Sequence, residues 1–381
     1  MYTTPVKALS NQKYQDLVAR LGVESVGLLT GDRRIKPTAP VVVMTTEVLR
    51  ALFYERAAVL ENLEVVVLDE AHFITDPERG PVWEEVVMHA PESVRLVALS
   101  ATLDEAHLLA AWIEERRGAT DLIVCDKRPV PLRHVYAIGR LDGTDPVLLP
   151  VEVEGEPNPA AITMDGNRVK ERGEGLRRRY RSRTRPVPPP RRDLLSLLVR
   201  QEMVPAIWFV LSRAGCEGAA RQLCEGGPGF TTPLESIELR RRAERIGNGL
   251  EVADLRSLDF GGWATRLAAG VATHHGGLLP VQRELVESAF AEGLVKVAFA
   301  TETLALGVNL PARTVVIDRV TRAEAEGGVM SAATFAQLAG RAGRRGLDRA
   351  GVAVVPWSED VSFLQVASLV DGRQQGLRSW F

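Results

Sequence analysis

The chain has 381 residues, 45% of them hydrophobic and 25% charged, with a formal net charge of −2. That is an ordinary globular composition with room for two domains at ~100–200 residues each. Three cysteines with no CxxC pair and no histidine at ligand spacing argue against a disulfide framework and against structural zinc. A reducing cytoplasm fits. No apolar run of ~18 residues and no charged-then-apolar leader is present, so no membrane is expected among the partners. A near-neutral total leaves nucleic acid open, because a local basic stripe can hide inside it.

Residues 1–138 alternate short β-branched runs with helical stretches. Strands are expected at 26–29, 41–44, 65–68, 95–99 and 122–124, and helices near 6–20, 46–60, 79–90 and 104–116. This βαβα rhythm predicts a parallel sheet covered on both faces. The run Val65-Val66-Val67-Leu68 reads as a fully buried strand, and Asp69-Glu70-Ala71-His72 follows where that strand ends. Carboxylates at a strand's carboxyl end are placed to hold a nucleotide's Mg²⁺ and to orient an attacking water. The same residues could simply cap the next helix. Ser100-Ala101-Thr102 follows the next strand, where small hydroxyls can hydrogen-bond a neighbouring carboxylate.

The periodicity fades over 139–167. Residues 168–192 then hold eleven Lys and Arg against two Glu and end in a proline-rich run. This stretch reads as a semi-rigid connector, either solvated or touching phosphates by charge alone. A second α/β rhythm follows, with strands expected at 206–210, 271–273, 295–299, 314–317 and 352–355. Helices are expected near 213–225, 234–247, 280–292 and 331–344. The last of these carries Gln337, Arg341 and Arg344. Two guanidiniums three residues apart share a helical face and suit an anion between them. The alternative is a plain charged surface helix. Gly340 and Gly343 would weaken a helix, and close approach of a backbone or ligand would explain them. Thr301, Thr46 and the Pro5–Lys7 turn each stand where a strand meets a helix N-terminus, a place that suits phosphate. The loop His274-His275-Gly276-Gly277 is similar, and its histidines lack a third metal ligand.

Taken together, the blocks Tyr2–Tyr14, Thr30–Asp32, Met44–Arg50, Asp69–His72, Ser100–Thr102, His274–Pro280, Phe299–Thr303 with Gly307–Pro311, and Gln337–Gly346 stand in one order. In that order the chain resembles the superfamily 2 DExH-box RNA helicases, in the branch of exosome-associated and antiviral enzymes and their bacterial relatives. The resemblance implies an α/β fold of two RecA-like domains, each a mostly parallel sheet with helices on both faces. Their expected extents are 1–138 and 193–358, joined by 139–192 and followed by the start of a further segment at 359–381. It implies ATP and Mg²⁺ as cofactors, with Asp69 on the metal and Glu70 as general base. His72, Ser100 and Thr102 would couple nucleotide to nucleic acid, and Gln337, Arg341 and Arg344 would close on the phosphates. Gly307 and Asn309 would lie near the nucleotide. Pro5, Lys7, Thr46, His275, Gly276 and Thr301 would track the nucleic-acid backbone. The implied protein is a cytoplasmic monomer acting 3′→5′ on single-stranded or 3′-tailed RNA, with an RNA-decay nuclease as partner.

One departure stands out. The family's phosphate loop, GxxxxGK[ST], does not occur, nor does any Gly-Lys dipeptide. In the family it precedes the block matched by Tyr2–Tyr14, so the first domain is expected to lack its N-terminal strand and P-loop. The far end resembles the passage into a further domain. The expectation is a piece of a larger helicase that by itself binds ATP poorly and does not hydrolyse it. A DNA repair or recombination helicase, and a non-catalytic nucleic-acid-binding module, are the competing readings.

Overall fold

The computed structural model describes residues 1–76, 78–101, 105–125, 128–165, 186–225, 227–304, 310–321 and 328–372. These residues form two compact units, one up to residue 125 and one from residue 128 onward.

In the first unit, strands β1 (Tyr2–Thr4), β2 (Val26–Thr30), β3 (Arg33–Ile35), β4 (Val41–Thr45), β5 (Val65–Asp69) and β6 (Arg95–Leu99) form one sheet. Their order is β3-β2-β4-β1-β5-β6. Only the β2–β3 pair is antiparallel. Successive side chains of a strand point to opposite faces, and here both faces are covered. Val26, Leu28 and Val43 pack with Tyr14, Leu17 and Val18 of the Lys7–Leu21 helix. Val42, Met44, Val66 and Leu68 pack on the other side with Leu49, Trp83, Val86 and Leu109 from three further helices. Burial on both faces is why these strands read as continuous apolar runs.

The second unit contains β7 (Leu132–Ile138), β8 (Val147–Pro150), β11 (Ala206–Phe209), β12 (Val271–His274), β13 (Val297–Ala300), β14 (Thr314–Ile317) and β15 (Gly351–Pro356) in one sheet. A small hairpin of β9 (Glu152–Val153) and β10 (Glu156–Pro157) stands apart from it. The seven strands run in the order β12-β13-β11-β14-β15-β7-β8. All neighbours are parallel except β7 and β8. Trp208, Phe299, Val316 and Val354 share one core with Leu194, Leu198 and Ala220, and the alternating Ile207, Ala298, Val315 and Ala353 are buried as well. Two mostly parallel sheets with helices make the expected α/β architecture.

Three details differ from the sequence reading. Strand β7 falls within residues 1–138 yet pairs with β15 from Leu132↔Gly351 to Ala137↔Pro356, so it belongs to the second sheet. Part of the expected connector is folded onto that unit too. Asp165, at the end of the Pro159–Asp165 helix, accepts hydrogen bonds from Trp357 Nε1 at 3.0 Å and from the Phe363 N–H at 2.7 Å. Finally, Leu122-Ile123-Val124 is not a strand, and its side chains are exposed, Ile123 by 90%. A β-branched run becomes a strand only where a neighbour supplies the ladder, and none does among the described residues. The basic run between 166 and 185 and the end of the chain from 373 lie outside those residues.

Candidate functional site

The first unit gathers its candidate residues at the carboxyl ends of β1, β4, β5 and β6. Asp69 closes β5, with its side chain 19% exposed. From the neighbouring β1, the Tyr2 hydroxyl donates to Asp69 Oδ2 at 2.6 Å, and the Glu70 N–H donates to Oδ1 at 3.0 Å. Burial, and then the hydrogen bond to Asp69, push the Tyr2 phenol well above its ordinary range. Lys13 Nζ lies 4.0 Å from Asp69 Oδ2 and 5.1 Å from the centre of the Tyr2 ring. The carboxylate is therefore oriented from three sides.

Glu70 takes the left-handed conformation, φ 58° and ψ 48°, which costs a non-glycine residue of order 1–3 kcal/mol. Its side chain makes no cap for the 3₁₀ helix Ala71–Thr75 that follows. The helix-capping alternative for these carboxylates is thereby set aside. His72 Nδ1 lies 3.4 Å from Glu70 Oε2, and its ring leans on Phe73. Burial lowers His72 to about 4, against the pull of Asp69 and Asp76, so it is neutral near pH 7. Ser100 is exposed directly beyond Leu99, the register partner of Asp69. Thr102 lies outside the described residues.

The loop after β1 is tightly held. Thr4 is fully buried, its hydroxyl 2.7 Å from Ser10 Oγ and donating to the Val6 carbonyl at 3.1 Å. Thr46 is 1% exposed and its hydroxyl donates to the Thr4 carbonyl at 3.4 Å. This threonine braces the Pro5 loop and is not itself open to a ligand. Lys7 is exposed but reaches Asp32 at 3.1 Å, and Asp32 also accepts from Thr30 Oγ1 at 2.9 Å. The Thr30-Gly31-Asp32 turn thus positions Lys7.

In the second unit, His275 is 7% exposed and committed within the fold. Its Nδ1 accepts from the Gly277 N–H at 3.1 Å, which leaves Nε2 to carry the proton and donate to Glu217 at 3.0 Å. Glu217 also accepts from Thr273 Oγ1 at 2.8 Å and Arg266 Nη2 at 3.1 Å. Burial works against ionisation of Glu217, yet the bonds from His275 and Thr273 with the Arg266 charge hold its carboxyl below the usual range. His274 is tied to Glu287 at 2.8 Å. Of the four residues His274-His275-Gly276-Gly277, only the two glycines are exposed. Thr301 sits at the end of β13, before the 3₁₀ turn Glu302–Leu304. Gly307 and Asn309 lie outside the described residues.

The arginines correct the expected helix. The helix Ala332–Ala339, capped by Ser331, stops before them, so Arg341 and Arg344 share no helical face. Gly343 has φ 94°, and a Cβ there would come within 2.7 Å of Val130 Cγ1, while one on Gly351 would meet the Ala342 backbone at 2.5 Å. Close backbone packing, not a helix, is what calls for Gly343. Gln337 lies in the helix's last turn, and Arg341 and Arg344 in the loop it leads into. Arg344 Nε and Nη2 donate to Asp348 at 2.9 and 3.0 Å. Arg128 Nη2 donates to the Gly340 and Ala342 carbonyls at 2.8 Å each. The sequence reading missed Tyr2 as a partner of Asp69, and also Arg128, Glu217 and Asp348. Asp348 alone carries a local signal, as the one carboxylate four residues beyond an arginine of that run.

Among the described residues no group of three or more metal-ligating side chains exists. One or two carboxylates at a strand end nevertheless suit Mg²⁺, which keeps waters and takes its remaining ligands from substrate phosphates. The oxygen-only donors of Asp69 and Glu70 fit that group.

A DEAH sequence at the carboxyl end of a parallel strand, and a glycine-arginine turn in a second parallel sheet, are the marks of a helicase. The DEAD/DEAH box helicase model matches residues 1–110, and the helicase conserved C-terminal domain model matches residues 253–346. The chain belongs to the superfamily 2 DExH-box helicases. It is 42% identical over 393 residues to the probable helicase HelY of Mycobacterium tuberculosis, covering 100% of this chain and 43% of that protein. Human Superkiller complex protein 2 is 37% identical over 365 residues, covering 93% of this chain and 29% of its own length. Mouse exosome RNA helicase MTR4 is 33% identical over 389 residues, covering 100% of this chain and 36% of its own length. The chain thus spans less than half the length of these relatives. Helicase domains of this kind imply use of ATP. No helix among the described residues is long and apolar enough to cross a membrane.

Proposed function

We propose that this chain is the core of an ATP-dependent RNA helicase that moves 3′→5′ on single-stranded or 3′-tailed RNA, in RNA processing or decay. The observation that carries the reading is the Asp69-Glu70 pair. Its carboxylates stand at a strand end in the same sheet as the Thr4-Pro5 loop, with Glu70 held in a strained backbone conformation. Similarity to an exosome RNA helicase supports RNA as the substrate, and on the same ground we propose an RNA-decay nuclease as partner.

When bound, Mg²⁺ would neutralise the nucleotide's phosphates, and Asp69 is the residue to hold it. Glu70 accepts the proton of the attacking water. Tyr2 and Lys13 fix the orientation of Asp69, and His72, neutral, passes the state of the carboxylates on, together with Ser100 and Thr102. Gln337, Arg341 and Arg344 are assigned to phosphate oxygens as charge develops; Gly307 and Asn309, the further nucleotide-binding candidates, lie outside the described residues. Pro5, Lys7, Gly276 and Thr301 contact the nucleic-acid backbone, with Thr46 and His275 shaping their loops.

The test is ATP turnover by the full-length natural protein with and without single-stranded RNA. Stimulation by RNA and not by DNA is expected. Equal stimulation by DNA would remove the RNA assignment, and absence of turnover would remove the enzyme assignment.

A further inference from the structure

Consecutive carbonyls of the loop after β1 are held by side chains from two different elements. The Thr4 carbonyl accepts from Thr46 Oγ1 at 3.4 Å, and the Pro5 carbonyl accepts from Arg79 Nη1 at 2.6 Å. Arg79 is 74 residues away along the chain and half-buried. It precedes the Gly80–His89 helix and so follows directly on the segment that carries Asp69-Glu70-Ala71-His72. A charged donor on a neutral carbonyl forms one of the stronger hydrogen bonds.

The other side of the guanidinium meets that segment. Its Cζ lies 5.7 Å from the centre of the Phe73 ring, within cation–π range. Phe73 is 9% exposed, its N–H donates to the Glu70 carbonyl at 3.0 Å, and its ring stands 4.9 Å from that of His72. Arg79 is also fixed by its own backbone, because Asp76 Oδ1 accepts the Glu78 and Arg79 N–H groups at 2.9 Å each. The guanidinium therefore has little freedom. A shift of the 3₁₀ turn Ala71–Thr75 moves Phe73, and with it the group that holds Pro5.

We infer that Arg79 is a positioning residue that couples the carboxylate site to the nucleic-acid loop, as a strut from Phe73 and His72 to the Pro5 carbonyl. The inference rests on the helicase reading above. In this role Arg79 acts through the two loops assigned to nucleotide and nucleic acid, by its contacts with Pro5 and Phe73. A coupling of this kind is reciprocal: nucleic acid on the Pro5 loop biases the carboxylate segment, and the nucleotide state biases the loop.

The experiment measures ATP turnover by the full-length natural protein, basal and at saturating single-stranded RNA, for wild type, Arg79→Ala and Arg79→Lys. The half-saturating RNA concentration is recorded for each. Arg79→Ala is expected to reduce the ratio of stimulated to basal turnover by about fivefold or more, the lower end of ordinary coupling. Arg79→Lys, which keeps one charged donor but no planar face for Phe73, restores part of that ratio. A residue that merely supports the fold would depress basal and stimulated turnover together and leave the ratio intact, and that result overturns the inference. So does an unchanged ratio. If Arg79→Ala does not fold, Phe73→Leu reads the same link from the other end, and an unchanged ratio there is equally fatal. A wild-type protein that RNA fails to stimulate would sink the helicase reading itself, which separates the two failures.

Discussion

Asp348 holds Arg344 by three hydrogen bonds: the backbone N–H and Nε of Arg344 donate to Oδ2 at 2.9 Å each, and Nη2 donates to Oδ1 at 3.0 Å. The carboxylate is 2% exposed and the guanidinium 19%. Burial alone would raise Asp348, but its bonds from Arg344 hold the carboxyl below the ordinary range. The fork-on-carboxylate geometry fixes the direction in which this arginine points. Replacement Asp348→Asn keeps the shape and removes the charge. We expect about 1–3 kcal/mol of lost stability, from leaving a charged donor poorly matched. We also expect kcat and kcat/KM for ATP to fall together by about tenfold or more, the pattern of an interaction made in the transition state. Thermal melts and steady-state kinetics on the full-length protein read both; a change confined to KM would contradict the role given to Arg344.

Glu70→Gln removes the proton acceptor while preserving size. Loss of a general base typically costs on the order of 100-fold or more in turnover. ATP turnover is expected to fall by at least that much, with RNA affinity retained in a fluorescence-anisotropy titration. Substantial residual turnover would reassign the base.

Glu217 is the common acceptor for His275, Thr273 and Arg266, whose side chain is 11% exposed. Glu217→Ala removes the nearer of the two carboxylates on Arg266, which keeps Asp259 at 3.4 Å, and leaves the His275 and Thr273 donors without their acceptor, a class of change that costs roughly 1–3 kcal/mol. Denaturant unfolding should show a lower midpoint for the second unit, and RNA binding should weaken because the Gly276 loop loses its anchor. A midpoint equal to wild type would mean that the network carries no stability.

Two histidines give the fold an acid-sensitive edge. Burial lowers His72 to about 4, and burial with the Arg128 charge lowers His134 to about 4. Both folded values lie below the ordinary 6.5, so the unfolded chain binds more protons between those limits. Their contribution, roughly 3 kcal/mol each at about 1.4 kcal/mol per pH unit, is complete above pH 6.5 and is lost as the pH falls towards 4. Melts at pH 7.5, 6 and 5 should show this decline. His134→Phe, whose ring can keep the contact to Phe335, should flatten it for the second unit.

Much of this architecture was legible because strands buried on both faces leave an unbroken apolar signature. Val41–Met44, Val65–Leu68 and Thr314–Ile317 needed no partner to be recognised. Asp69-Glu70 was legible as a motif, and its chemistry followed from its place at a strand end. What the sequence withheld depends on separations too long to read as spacing. Tyr2 meets Asp69 across 67 residues, and Arg128 meets Gly340 across 212. The sequence reading places the arginine run on a helix by carrying the Ala332–Ala339 helix past Gly340. Backbone contact between Ala342 and Gly351 turns the chain instead. The boundary at 138 misplaces the segment that forms strand β7 for a similar reason: its partner β15 lies far downstream, from Leu132↔Gly351 to Ala137↔Pro356.

The two borders of the first sheet differ in a way that bears on handling the protein. At one border β3 displays exposed Arg33 and Arg34, charges that keep another strand from docking. At the other, β6 leaves Val97 37% and Leu99 42% exposed, and the bare Leu122-Ile123-Val124 adds further apolar surface to the same unit. A border of that kind is sticky. Purified as this chain alone, the protein should self-associate with rising concentration through β6 first, and Val97→Lys should keep it dispersed at concentrations where the parent clouds.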